Sequence, residues 1–140
     1  MLKKLFSTPL RAYIDVFECI FTSAIVRLVI GFLPLRKFAG HLGTEVKKEE
    51  LPPSAASSIN VANAVSRSVR VIPWRFKCYE QAFTAKVMLR RRKIGTLLFF
   101  GVRKDPVTRN IEAHAWLKAA DRIVTGAKGS KSFEIIAIFE

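Results

Sequence analysis

The run CYEQAFTAKVMLRRRKIG at residues 78–95, followed at once by TLLFFGV at 96–102, decides how this chain is read. Cys78, Ala82, Ala85 and Leu89 recur at steps of four, three and four, which places them on one face of a helix. The segment PWRFK (73–77) leads into that helix, and Gly95 is expected to close it as a C-terminal cap. Residues 96–102 are aliphatic and aromatic and have strand character. A polar turn with Asp105-Pro106 leads to a second expected strand at 111–117. There Glu112, His114 and Trp116 share one face, and Ile111, Ala113, Ala115 and Leu117 the other. A short turn near 119–122 precedes a third strand at 123–124, a loop spans 126–131, and a last strand covers 133–139.

Upstream, residues 2–32 carry Lys4, Thr8, Arg11, Asp15, Glu18 and Thr22 every three or four positions, one polar stripe on an otherwise apolar helix. Pro9 is expected to begin the main helix. So apolar a helix should be heavily buried, in its own core or against a partner. Gly31, Pro34, Gly40 and Gly43 break the pattern, and TEVKKEELPP (44–53) reads as an exposed connector. Over residues 54–72, Ile59, Ala62, Val65, Val69 and Ile72 draw a further helix, ended by Pro73. Helices first and an antiparallel sheet after them make an α+β chain. Its 140 residues suffice for one core and not two. The expected organisation is one domain over 1–140, with a helical region at 1–50 and the core at 54–140.

The formal charge of +13, from 24 Lys and Arg against 11 acids, will draw anionic partners. The basic residues are scattered, however. Their one tight run, 90–93, falls where a helix ends and cations complement its dipole. No zinc-finger, RNP or glycine-rich phosphate pattern is present, so no specific nucleic acid is expected, and a general polyanion or anionic-membrane binder is the third-ranked reading. Cys19 lies in an apolar run and reads as a buried, inert thiol; with only Cys78 beside it there is no disulfide framework. Arg11, Asp15 and Glu18 interrupt the N-terminal apolar run, which argues against a signal peptide, and with Arg27 against an ordinary membrane span. A cytoplasmic protein is expected, with peripheral membrane contact left open because a basic, strongly apolar helix can lie at an interface.

The chemistry centres on Cys78 and His114. A thiol acts as a nucleophile in its thiolate form, which a helix N-terminus or a neighbouring histidine favours. Cys78 is expected in the first turn of its helix, where free backbone N–H groups can also hold an oxyanion. His114 is expected mid-strand in the sheet under that helix, as base. Taken from the residues alone, each also has a plain structural reading as a packed core group. Glu80 is expected as a solvated first-turn acid, Trp116 as a core or groove aromatic, and Gln81 receives no oxyanion role. Arg103 and Lys104 are placed to guide an acidic peptide or simply to stand exposed.

Three stretches, CYEQAFTAKVMLRRR from Cys78, LFFGVR from Leu98 and AHAWL from Ala113, resemble the transglutaminase-like leader peptidase of lasso-peptide biosynthesis. The resemblance runs from about residue 60 to the end. It implies a papain/transglutaminase-like fold and a cysteine protease that removes the leader from a ribosomally made precursor peptide, with no cofactor or metal. The chain looks like the stand-alone form of that peptidase. That form implies a small leader-recognition protein to present the precursor and a separate ATP-dependent cyclase to close the ring. The family's third catalytic residue is an Asp about a dozen residues after the histidine, where this chain has Thr125-Gly126-Ala127. Asp121 is the nearest downstream carboxylate. It is expected either to orient the imidazole from the hairpin turn or to serve only the turn. The alternative to a peptidase is a weakly active or inactive peptide-binding module of the same maturation complex.

Overall fold

A computed structural model describes residues 9–47 and 56–140. Helix α1 is Leu10–Phe32, α2 is Leu35–Leu42, α3 is Ser57–Ser68 and α4 is Cys78–Arg91. Strands β1 (Leu97–Lys104), β2 (Ile111–Ala119), β3 (Arg122–Thr125) and β4 (Glu134–Phe139) follow, with a 3-10 turn at Ser130–Ser132. They form one sheet in the order β3-β2-β1-β4, and every neighbouring pair is antiparallel. Helices followed by an antiparallel sheet are the α+β arrangement that the sequence pattern implies.

The period of two along β2 decides which face of the sheet meets the helices. Ala115 and Leu117 join a core cluster with Ala82, Phe83, Ala85 and Leu89 of α4 and Val61 and Val65 of α3. Phe83 packs against Phe100 of β1 at a ring separation of 6.1 Å. The opposite face carries a smaller cluster of Leu97, Phe99 and Trp116, with the Phe99 and Trp116 rings stacked at 5.4 Å. Residues 44–46 close part of the β4 edge. Val46 N–H donates to Ile138 O at 2.8 Å and Glu140 N–H to Thr44 O at 2.9 Å.

Helix α1 departs from its expected packing. Pro9 does stand at its N-cap with extended backbone, and residues 1–8 lie outside the described residues. The side chains that α1 buries are Asp15, Cys19, Thr22, Ser23 and Val26, whereas Leu10, Ile14, Phe17, Phe21, Leu28 and Phe32 stand exposed. The polar stripe therefore turns inward and the apolar stripe outward. The cause lies on α4's end. Arg92 reaches Asp15 Oδ1 at 2.9 Å and Glu18 Oε2 at 2.6 Å through Nη2, and Glu18 Oε1 at 3.1 Å through Nη1. A buried carboxylate needs a charged, hydrogen-bonding partner, and a guanidinium fork supplies it. Among the described residues no helix is long and apolar enough to cross a membrane.

Smaller differences have local causes. Residues 35–42 form a helix despite Gly40, capped from Pro34. The α3 helix stops at Ser68, and the three residues after it form a turn rather than more helix. Lys93, not Gly95, takes the left-handed position after α4, with φ of 56°. Ile94 N–H then bonds Leu89 O at 3.0 Å, so the chain leaves the helix before Gly95 is reached. The basic run is structural: Arg90 bonds His41 O, and Arg91 and Arg92 bond Glu18.

Candidate active site

Cys78 is the first residue of α4 and is half-buried. Gln81 N–H to Lys77 O, at 2.9 Å, is the first intrahelical bond, so the N–H groups of Cys78, Tyr79 and Glu80 precede it. The approach to the helix is held by side chains. Glu80 accepts from Lys77 N–H at 3.0 Å and from Arg27 Nη1 at 2.9 Å. Gln81 Nε2 donates to Phe76 O at 2.8 Å, and Arg27 also donates to Arg75 O at 3.2 Å. Glu80 is thus a buried clamp tying α1 to the start of α4, not the solvated acid expected. Gln81 is committed to the backbone before the cysteine.

His114 sits in β2 directly opposite Gly101 of β1. Its Nε2 lies 2.8 Å from the carbonyl oxygen of Gly126. A carbonyl can only accept, so this bond puts the proton on Nε2 and leaves Nδ1 of the neutral ring with its lone pair. Gly126 lies twelve residues after His114, in the stretch where the resembling family has its acid. In this chain that stretch presents a backbone oxygen to the ring. The position demands glycine. Its φ is +76°, and a Cβ would fall 2.6 Å from Ala115 O and 2.9 Å from Trp116 Cβ. Gly101 is similarly constrained, since a Cβ there would meet Phe133 Cβ at 2.8 Å and two ring carbons of Trp116 at 2.9 Å.

Cys78 and His114 line one cavity of about 330 Å³, together with Tyr79, Phe100, Ala113, Ala115, Ile136 and others. Strand alternation groups His114 with Trp116. The ring packs 5.8 Å from Trp116 and 5.1 Å from Phe133. Among the described residues no hydrogen bond joins Cys78 to His114.

Asp121 is not brought to the imidazole. It occupies the exposed turn between β2 and β3, five strand positions and more beyond His114, roughly 16 Å along the strand at its usual rise. Of the two readings weighed for it, the position fits the turn residue. Glu112, which shares the His114 face, is bonded to Arg103 Nε at 2.6 Å. Arg103 also donates to Ser132 Oγ and covers the Phe133 ring at 4.6 Å, so it braces this end of the sheet. Cys19 is fully buried, and burial foremost pushes its thiol up to about 11. Sequence reasoning missed Gly126. The only signal was a glycine where an acid was due, and nothing in a glycine announces that its carbonyl will be used.

A family model for the transglutaminase-like superfamily matches residues 23–137. No curated protein and no solved structure matches the chain. The transglutaminase-like fold commonly carries cysteine protease or transferase chemistry. The family match runs from the middle of α1 into β4 and includes Cys78, His114 and most of the lining of their cavity: the chain belongs to the transglutaminase-like superfamily.

Proposed function

We propose that the protein is a cysteine peptidase that removes the leader from a lasso-peptide precursor, acting with a leader-recognition protein and an ATP-dependent cyclase. The observation that carries this reading is the shared cavity of Cys78 and His114, with the imidazole anchored on Gly126 O. Cys78 Sγ attacks the scissile carbonyl carbon, and Nδ1 of His114 takes the thiol proton and returns it to the leaving amine. N–H groups at the start of α4 stabilise the tetrahedral oxyanion. Water, deprotonated by the same nitrogen, then releases the acyl group and restores the thiol. The cavity wall of Phe100, Ala113, Ala115, Ile136, Ala137 and Phe139 suits an apolar side chain next to the cleaved bond. Among the described residues thiol and ring share the cavity without a hydrogen bond between them, and such bonds often tighten on substrate binding.

A second reading, a peptide-binding module of the same maturation complex with weak or no activity, is favoured by that missing bond and by the lack of a carboxylate on the imidazole. Cleavage of a cognate precursor separates the two. Cys78→Ala should abolish it and Cys19→Ala should leave it largely intact. Equal cleavage by wild type and Cys78→Ala removes the peptidase reading.

A further inference from the structure

The outward stripe of α1 plays no part in the site described above. Leu10, Tyr13, Ile14, Phe17, Phe21, Ile25, Leu28 and Phe32 are all exposed, Phe17 at 73% and Phe32 at 88%. Apart from the adjacent pair Tyr13 and Ile14, they follow one another at steps of three and four along 23 residues, about 35 Å of helix at its usual rise. Ala24 and Gly31 complete the same face, so no charged side chain interrupts it. Contiguous apolar surface of this extent marks an interaction face.

We infer that α1 is a membrane-interface helix, which lays this stripe into the acyl–headgroup boundary of an anionic bilayer. The charge arrangement selects that occupant. Both acids of α1 are turned away from the stripe: Asp15 is buried and Glu18 is held by Arg91 and Arg92. What borders the stripe is cationic. Arg11 shares a surface hollow with Arg67 of α3 on one flank, while Arg27 on the other is ion-paired with Glu80 and so adds no net charge there. A bilayer accepts a convex, apolar ridge along its whole length and sets the Arg11 and Arg67 guanidinium groups beside it level with lipid phosphates. A second copy of this chain is disfavoured, because each copy carries +13. The inward polar face, pinned by Arg92, fixes α1 to the domain and presents the ridge outward.

The test is co-sedimentation of the full chain with vesicles of phosphatidylcholine alone and of phosphatidylcholine mixed with phosphatidylglycerol. Wild type should partition to the anionic vesicles about tenfold more strongly than to neutral ones, and less so at high salt. Phe17→Ser with Phe21→Ser should lower that partition about a hundredfold, with an unchanged circular dichroism melt because neither ring is in the core. Arg11→Gln with Arg67→Gln should lower it several-fold. Failure of wild type to bind either vesicle overturns the inference and leaves the ridge to a protein partner. So does binding that the two serines do not weaken, since that is charge alone. A wild-type dimer in light scattering that the same serines dissociate overturns it in favour of a second copy.

Discussion

Replacing Gly126 with alanine perturbs one backbone position and reads out both the fold and the site. An alanine held at φ +76° costs about 1–2 kcal/mol. The new methyl would also sit 2.6 Å from Ala115 O, 2.9 Å from Trp116 Cβ and 3.0 Å from Trp116 Cα. None of these atoms is the far end of a flexible side chain, so residue 126 itself must move, at about 1–3 kcal/mol for such overpacking. The sum is roughly 2–5 kcal/mol, or on the order of 5–20 °C in melting temperature for a chain of this size. When residue 126 moves, its carbonyl leaves the 2.8 Å bond to His114 Nε2. The proton is then free to occupy either ring nitrogen. Losing one hydrogen bond of about 0.5–1.5 kcal/mol translates into a fall in reactivity of up to about tenfold. The measurements are urea unfolding and the rate of Cys78 alkylation by iodoacetamide at neutral pH, taken where the variant is still folded. Cys19 does not compete, because burial holds its thiol at about 11. Asp121→Asn, in the exposed turn, is the control and should change neither quantity. If Gly126→Ala unfolds like wild type and alkylates at the same rate, the carbonyl does not orient the imidazole and the reasoning fails.

Two further predictions concern buried charge. Arg92→Met should destabilise the protein by about 3–5 kcal/mol in urea unfolding, because it strands the buried Asp15. In wild type, burial alone would raise the Glu18 carboxyl, but hydrogen bonds and charge from Arg92 and Arg91 outweigh it and hold Glu18 below its ordinary value of 4.5. Its contribution is therefore present above that value and is lost as pH falls below it, and this acid limb should shrink in Arg92→Met. Lys86 is the reverse case. Burial, then the charge of Arg90, brings its ammonium down to about 8 against the pull of Glu140, while its Nζ donates to Thr96 Oγ1 at 3.1 Å. Between about pH 8 and 10.5 the unfolded chain holds the extra proton, so the urea midpoint should rise with pH across that window. Lys86→Met should flatten the rise; an unchanged slope would mean that Lys86 is charged in the folded state throughout.

Local periodicity made most of the architecture readable from the sequence. The steps of three and four from Cys78 to Leu89 and the alternation from Ile111 to Leu117 are properties of neighbouring residues, and α4 and β2 formed where those patterns lie. The thiol's place at a helix start was readable for the same reason, since Pro73 and the residues after it cannot continue the preceding helix. Tertiary structure decided the rest. Which stripe of α1 turns inward depended on Arg92, distant in sequence but in contact with Asp15 and Glu18. Periodicity locates a polar stripe but does not say whether a buried partner will claim it. The orienting group for His114 was likewise out of reach, because a backbone carbonyl has no sequence signature. It was placed by the left-handed turn at Gly126 against the backbone of Ala115 and Trp116. That Cys78 and His114 border one cavity followed from how the helices lie on the sheet, and only packing of the whole chain determines that.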